Sequence, residues 1–257
     1  MKQICVGGEA IGHPGRPLIC TSVTGKTRSS ILGEMAAIVP KAPDLIEWRV
    51  DLFEGVGDIA TVIDLATEIK AAAHAIPIVF AFRTINEGGG ANALNEADIL
   101  KLYVAACASR CVDIIDYEMS NASTNVAMLR QVSASNGVTM IMSYHNHETT
   151  PDREELMGQF SHAERLGADV AKVVVMPRSA ADVVSLLEVT QTADSLGGIP
   201  VVAVAMGGVG ALSRVFGWMF GSTVTFAAGK SRPAPGQMSI KELRSVLNSV
   251  CNAVQGG

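Results

Sequence analysis

The chain has 257 residues, of which 48% are hydrophobic and 18% are charged. This composition excludes an intrinsically disordered chain, because so apolar a sequence can bury enough surface to offset the conformational entropy lost on folding. The 20 basic and 25 acidic side chains give a formal net charge of -5. Nucleic-acid binding requires a clustered positive face, for which this charge gives no basis. We therefore expect a small-molecule partner and no nucleic acid.

A mean hydropathy of +0.30 raises the question of a membrane. The longest apolar run, residues 199–212, is shorter than the roughly 20 residues of a spanning helix and is interrupted by glycines. The N-terminus lacks the basic, apolar, small-residue order of a signal peptide. The five cysteines are scattered and lack zinc-site spacing. These features predict a cytoplasmic protein with no membrane association.

Eight short apolar runs recur along the chain, and each is followed by a polar or glycine-rich stretch and then by a longer segment with helical periodicity. One such segment, residues 58–73, places its apolar side chains on one side of a helix. The eight predicted strands are residues 18–23, 44–50, 77–83, 112–118, 137–144, 169–176, 199–206 and 222–227.

Continuous rather than alternating apolar strands predict a parallel sheet that is buried on both faces by helices. Eight strand-helix units in about 250 residues predict an α/β fold, a (β/α)8 TIM barrel that forms one domain over residues 1–257. An open doubly wound sheet is the alternative, although the turn after the first strand, residues 24–27, lacks its glycine-rich fingerprint. Residues 1–17 fall outside the repeat and predict a β-hairpin that closes the bottom of the barrel.

Polar side chains cluster at the carboxyl ends of the predicted strands, where such barrels place their reactive groups. The second strand ends in Glu47, Arg49 and Asp51, which the period of two directs to one face. The remaining strand ends and the loops after them carry Arg83, Glu87, the triple glycine 88–90, Ser143, His145, Lys172, Arg214 and Gln237.

Lys172 interrupts a run of valines, where a lysine is almost never buried without a partner or a purpose. Burial disfavours the ammonium, so we expect its pKa to fall from about 10.4 towards about 7 to 8. A neutral amine there would attack a ketone and form a Schiff base. The alternative is a buried ion pair between Lys172 and Glu47 or Glu118.

His145 lies at a strand end and shares its face with Ser143, which suits a proton-transfer role. A structural histidine is one alternative, and an H-x-H metal pair with His147 is another. The arginines Arg49, Arg83 and Arg214 are candidate clamps for carboxylates or hydroxyls, because a guanidinium presents a planar fork of donors.

Six motifs, in order and in register over nearly the whole chain, resemble those of the type I 3-dehydroquinate dehydratases. They are Glu47-Trp48-Arg49-Val50-Asp51, Phe82-Arg83 with Glu87-Gly88-Gly89, Met142-Ser143 with His145, Lys172 to Pro177, Ser213-Arg214 and Ala234-Pro235-Gly236-Gln237.

The resemblance implies a lyase that dehydrates 3-dehydroquinate to 3-dehydroshikimate, the third step of the shikimate pathway, by a metal-free and cofactor-free Schiff-base route. It assigns the Schiff base to Lys172, acid-base catalysis to His145 and support of that histidine to Glu87. It also implies a homodimer. The substrate contacts that it implies are Ser22, Glu47, Arg49, Arg83, Met206, Arg214, Ser222, Phe226 and Gln237.

Three positions depart from the family pattern. Pro233 stands where the family commonly has a serine, so that one hydroxyl contact to substrate is either missing or supplied by Ser231, and Gly207-Gly208 replaces a common Ser-Lys pair. His147 is an additional imidazole beside the expected one. The alternatives to the dehydratase are a class I Schiff-base aldolase on the same barrel, a non-catalytic metabolite-binding barrel and a metal-dependent hydrolase.

Overall fold

A computed structural model describes residues 1–230 and 235–255 of the chain. Pro233 and Ser231 lie outside the described residues. The strands are β1 (Cys5–Val6), β2 (Glu9–Ala10), β3 (Leu18–Val23), β4 (Leu45–Arg49), β5 (Ile78–Ala81), β6 (Ile114–Glu118), β7 (Thr139–Asn146), β8 (Val170–Val175), β9 (Val201–Ala205) and β10 (Val224–Ala227). The helices are α1 (Arg28–Ile38), α2 (Ile59–Ala73), α3 (Glu96–Ser109), α4 (Ser123–Ser135), α5 (Arg153–Arg165), α6 (Ala180–Leu196), α7 (Ala211–Phe216) and α8 (Ile240–Gln255).

The eight strands β3 to β10 form one parallel sheet in which chain neighbours pair, and β10 pairs with β3. A parallel bridge between Val201 and Ser222 joins the two remaining edges, so the sheet is a nearly closed barrel. With a helix between successive strands, this order confirms the predicted (β/α)8 barrel and is not that of an open doubly wound sheet.

Each predicted apolar run overlaps one barrel strand, and the differences lie at the ends. The third strand, β5, ends at Ala81 rather than at Arg83, because the Phe82 amide donates to the Tyr103 hydroxyl at 2.8 Å instead of to a neighbouring strand. The fifth, β7, continues to Asn146, so His145 lies within the strand.

Alternate residues of each strand face two different cores. The outward core, between strands and helices, includes a chain of edge-to-face rings formed by Trp48, Phe80, Tyr103 and Tyr117. The inward core fills the lower half of the barrel with aliphatic side chains such as Leu18, Val79, Ile114 and Val170. Above this apolar floor, towards the carboxyl ends of the strands, the inward-facing side chains are polar. The strands themselves therefore carry the candidate functional residues.

The predicted N-terminal hairpin is confirmed as β1 and β2, joined by Gly7 and Gly8 with φ of +58° and +86°. Its preceding residue, Ile4, is 1% exposed and packs into the inward core. The Thr139 hydroxyl, at the start of β7, donates to the Cys5 carbonyl at 2.6 Å. The hairpin therefore covers the amino end of the barrel.

Within the described ranges, none of the helices combines the length and the apolar character needed to cross a membrane.

Candidate active site

A cavity of about 170 Å³ opens at the carboxyl end of the barrel strands. It brings together all of the predicted site residues except Ser22 and Ser222. Its lining residues are Glu47, Arg49, Arg83, Glu87, His145, His147, Lys172, Val174, Val204, Met206, Arg214, Phe226 and Gln237. A larger surface hollow of about 450 Å³ lies beside the hairpin, but its charged pair, Arg130 and Asp169, is mutually neutralised.

Lys172 projects from β8 into this cavity and is 4% exposed. Its Nζ lies 2.8 Å from Asp116 Oδ2 and 3.1 Å from Glu47 Oε1. Burial favours the neutral amine, but the two carboxylates outweigh it and raise the pKa of Lys172 above its ordinary value. The predicted fall in this pKa is therefore wrong for the substrate-free protein, in which Lys172 is an ammonium.

The sequence also predicts, as an alternative, that Lys172 forms a buried ion pair with Glu47 or Glu118. The ion pair with Glu47 is present, whereas Glu118 has other partners. The Glu118 carboxylate accepts hydrogen bonds from the Thr84 amide at 2.9 Å and from the Thr84 hydroxyl at 2.8 Å. These bonds direct Glu118 to the loop after β5 and away from the amine.

Asp116 on β6 is the main site residue that sequence reasoning missed. Its side chain is fully buried and pairs with both Lys172 and Arg83. Burial would raise the pKa of this carboxyl, but the two cations hold it well below its usual range. The available signal was a charged residue within the buried run Ile114 to Glu118, the same signal that singled out Lys172.

His145 and Glu87 form a hydrogen-bonded pair, with Nδ1 2.9 Å from Oε2. The same oxygen accepts from the His145 amide at 3.1 Å, and the Ser120 hydroxyl donates to Oε1 at 3.0 Å. The predicted contact between Glu87 and the imidazole is thus present. His145 Nε2 has no hydrogen-bond partner among the described residues, which leaves it available to a ligand.

Burial and nearby charges set the protonation of this pair. Burial, with the negative charge of Glu118 added, raises the pKa of Glu87 to about 8. Burial and the cations Arg83 and Lys172 lower the pKa of His145 well below its ordinary value. At neutral pH the imidazole is therefore uncharged and can accept a proton.

His147 engages the backbone of the same glutamate. Its Nε2 lies 2.9 Å from the Glu87 carbonyl oxygen, and its ring is stacked on that of His145, with centroids 6.3 Å apart and planes 16° apart. The ring lies so close to Gly88 that a Cβ there would collide with it. The glycine also has φ +81°, which favours glycine independently.

Two arginines, one at the end of β4 and one just after β5, are held by acidic partners. Arg49 donates to both carboxylate oxygens of Asp51, at 2.7 and 2.8 Å, and Asp51 also accepts from the Gly90 amide at 2.9 Å. Arg83 binds the Asp116 carboxylate. Each guanidinium is thereby fixed in orientation at the cavity wall.

Arg214 on α7 is a buried cation of a different kind. Its Nη1 donates to the Phe226 carbonyl at 3.3 Å, and its Nε has no hydrogen-bond partner in the described part of the chain. It is 6% exposed, and burial lowers its pKa to about 10. No carboxylate among the described residues pairs with it, so it is suited to receive an anion from outside.

The two predicted contact residues outside the cavity wall have structural partners. The Ser22 hydroxyl donates to Glu47 Oε2 at 2.7 Å and so positions that carboxylate. Ser222 lies before β10, at the level of Val201, and its Oγ accepts from the Ala203 amide at 3.0 Å. The prediction that Ser222 contacts substrate is corrected by this placement at the amino end of the strand, where it joins β9 to β10.

The H-x-H metal alternative has no supporting cluster: over residues 1–230 and 235–255, no group of three or more His, Cys, Asp and Glu side chains is placed to hold a metal ion. The two histidines instead both contact Glu87.

Comparisons with known proteins agree on one family. A family model described as type I 3-dehydroquinase matches residues 19–252. The chain is 45% identical to the 3-dehydroquinate dehydratase of Albidiferax ferrireducens, over 100% of this chain and 97% of the relative. It is 44% identical to that of a Geobacillus species, over 97% and 95% of the two chains.

A solved structure shares both fold and sequence with this chain. The crystal structure of 3-dehydroquinate dehydratase from Geobacillus kaustophilus superposes with a TM-score of 0.93 at 40% identity, and covers 97% of this chain and 96% of its own. These matches extend over the barrel and the cavity described above. The chain belongs to the type I 3-dehydroquinase family.

Proposed function

We propose that this protein dehydrates 3-dehydroquinate to 3-dehydroshikimate, the third step of the shikimate pathway, through a Schiff base on Lys172. The observation that carries the proposal is the convergence on one cavity of a buried amine, an uncharged imidazole and a guanidinium that no described carboxylate pairs with. These three groups supply a nucleophile for the ketone, a proton carrier and a carboxylate site, which this reaction requires together.

The substrate would be oriented by the cations of the cavity. Arg214 receives the substrate carboxylate, since no described carboxylate already occupies it. Arg49, Arg83 and Glu47 bind ring hydroxyls, and their orientation is preset by Asp51, Asp116 and Ser22 respectively. These contacts direct the ring ketone towards Lys172 Nζ and reduce the entropy lost at the transition state.

Schiff-base formation begins with transfer of a proton from the Lys172 ammonium to Nε2 of His145. This transfer is uphill, because the pKa of Lys172 is raised and that of His145 is lowered, so the neutral amine forms only transiently beside the bound ketone. The amine then attacks the ketone carbon, and the former carbonyl oxygen leaves as water once protons have been returned to it. The product is an iminium, which carries one positive charge as the ammonium did. Asp116 and Glu47 therefore stabilise the iminium with the same charges that raise the pKa of Lys172.

Elimination follows from the electron-withdrawing iminium. His145 removes the proton from the neighbouring carbon to give an enamine, and the enamine expels the β-hydroxyl as His145 returns that proton to it. One water is lost from the substrate, and a second water hydrolyses the conjugated iminium to release product and Lys172. Glu87 holds the imidazole by Nδ1, so that Nε2 faces the reacting atoms.

A structural relative supports covalent chemistry at such a site. The type I enzyme from Clostridium difficile, 35% identical to this chain with a TM-score of 0.93, is described in a crystal structure with covalently modified comenic acid.

Borohydride reduction in the presence of 3-dehydroquinate tests the proposal. Mass spectrometry should show one covalent addition on the wild-type protein and none on Lys172→Ala. The exposed Lys101→Ala is the matched control and should retain the addition. An adduct on another lysine, or turnover without the absorbance of a conjugated product, would refute the assignment; cleavage into smaller fragments would indicate an aldolase.

We also propose that the protein acts as a homodimer in the cytoplasm. An apolar surface supports a protein partner: Leu212, Phe216 and Met219 are 43%, 36% and 47% exposed on consecutive turns. Sedimentation equilibrium of the wild type should give twice the chain mass, and a monomer at micromolar concentration would contradict the dimer.

A further inference from the structure

We infer that His147 is a positioning residue for the His145–Glu87 pair, which it serves by holding the Glu87 backbone through Nε2. The inference rests on the proposed function and goes beyond it, because it assigns a role to the additional imidazole. The same glutamate is then held at two points, at its carboxylate by His145 and at its carbonyl by His147.

The contact fixes the tautomer of His147. A carbonyl oxygen only accepts hydrogen bonds, so Nε2 at 2.9 Å from the Glu87 oxygen must carry the proton. The donor remains whether the ring is neutral or charged.

Packing gives the contact its rigidity. The ring of His147 lies against Gly88, where no other side chain fits, and is nearly parallel to the ring of His145. His145 lies near the end of β7 and His147 directly follows the strand, so the two histidines are two residues apart. Glu87 ends the short 3-10 helix Ile85–Glu87, and its amide donates to the Thr84 carbonyl at 3.0 Å.

The geometric consequence concerns the carboxylate of Glu87. Its position depends on the short segment between β5 and the glycines 88–90, which contains only one helical turn. Loss of the His147 donor would free the Glu87 carbonyl and allow the carboxylate to move relative to His145 Nδ1. Because proton transfer depends steeply on such geometry, the effect should appear in kcat rather than in substrate binding.

Two matched variants separate the hydrogen bond from the charge. His147→Gln removes the imidazole charge but keeps an N–H donor at the distance of Nε2, whereas His147→Phe keeps a flat ring without a donor. We expect kcat about tenfold lower for His147→Phe than for the wild type, with KM changed by less than about twofold, and a kcat close to wild type for His147→Gln.

The pKa of His145 in the substrate-free protein provides an independent measurement, by NMR titration of its ring. The groups that face it are Glu87, Arg83, Asp116, Lys172 and His147. The first four are unchanged in both variants, and both variants lack the imidazole of His147, so its own charge does not enter the comparison between them. A displaced Glu87 side chain changes the hydrogen bond at Nδ1, so the pKa of His145 should differ between His147→Phe and His147→Gln by about half a unit or more.

Equal kcat values and equal His145 pKa values in the two variants would overturn the inference. If His147→Phe does not fold, His147→Leu serves as the donor-free variant. If the wild type does not turn over 3-dehydroquinate, the proposed function fails, and the titration of the substrate-free protein still decides the role of His147.

Discussion

The Lys172 ammonium and the Asp116 carboxylate form a buried ion pair, with Nζ 2.8 Å from Oδ2. Arg83 shares the same carboxylate, and Glu47 contacts Lys172 from the other side. Two positive and two negative groups therefore balance above the apolar floor of the barrel. This balance keeps the amine charged until a substrate enters.

Asp116→Asn should destabilise the protein. The change leaves two buried cations with a single carboxylate, and breaking a buried ion pair costs about 3–5 kcal/mol. Because the pKa of Asp116 is depressed by folding, its contribution is present above the ordinary aspartate value and is lost at lower pH. Urea unfolding at pH 7 measures the loss. Asp98→Asn, in an exposed pair with Lys101, is the control and should cost at most about 1 kcal/mol; equal losses would contradict the charge balance.

Glu87→Gln should change the pH dependence of stability. The pKa of Glu87 is about 8 in the folded chain and has an ordinary value of 4.5, so the folded state binds the additional proton between these values. The stabilisation is complete below pH 4.5 and is lost as the pH rises through about 8. The wild type should therefore lose stability relative to Glu87→Gln over this range, as measured by urea unfolding at successive pH values. A difference that stays constant with pH would contradict the assignment.

Arg214→Met and Arg83→Met should have opposite effects on stability. Arg214 has no described carboxylate partner, so its replacement should leave the melting temperature unchanged or raise it, since an unpaired buried cation is costly. Arg83→Met leaves the buried Asp116 carboxylate with one cation fewer and should lower the melting temperature. Scanning calorimetry measures both.

The same Arg214 variant should bind substrate poorly. Loss of charge-assisted hydrogen bonds worth about 3 kcal/mol raises KM about 100-fold. An unchanged KM for 3-dehydroquinate in Arg214→Met would show that the substrate carboxylate binds elsewhere.

Ser222→Ala should affect stability and leave KM unchanged. The Ser222 hydroxyl satisfies the buried Ala203 amide across the β9–β10 edge, and an unsatisfied buried donor costs about 1–3 kcal/mol. Ser249→Ala, on the exposed face of α8, is the control for loss of a hydroxyl. A large rise in KM for Ser222→Ala, with normal stability, would restore Ser222 to the substrate contacts.

The sequence predicts the barrel well because burial on both faces of a parallel strand is a local property of composition. It also predicts which residues face the cavity, since the period of two places Glu47 and Arg49 on one side of a strand. The cavity lining follows largely from these two rules.

The charge state of Lys172 could not be predicted in the same way. It depends on carboxylates that come from β4 and β6, whose distances from β8 are set by the register of the closed sheet. The substrate contact of Ser222 came from the family resemblance and not from the strand pattern. The predicted run 222–227 begins with this serine, which already places it at the amino end of the strand, before β10.

The hairpin and Ile4 give the barrel a closed base. In the proposed reaction, the water that hydrolyses the last intermediate must then enter from the mouth, where the substrate itself sits. Substrate binding and hydrolysis of the conjugated iminium would thus use the same entrance. This favours an ordered cycle, in which the six-membered ring of the intermediate loosens its contacts with the cavity before the hydrolytic water enters.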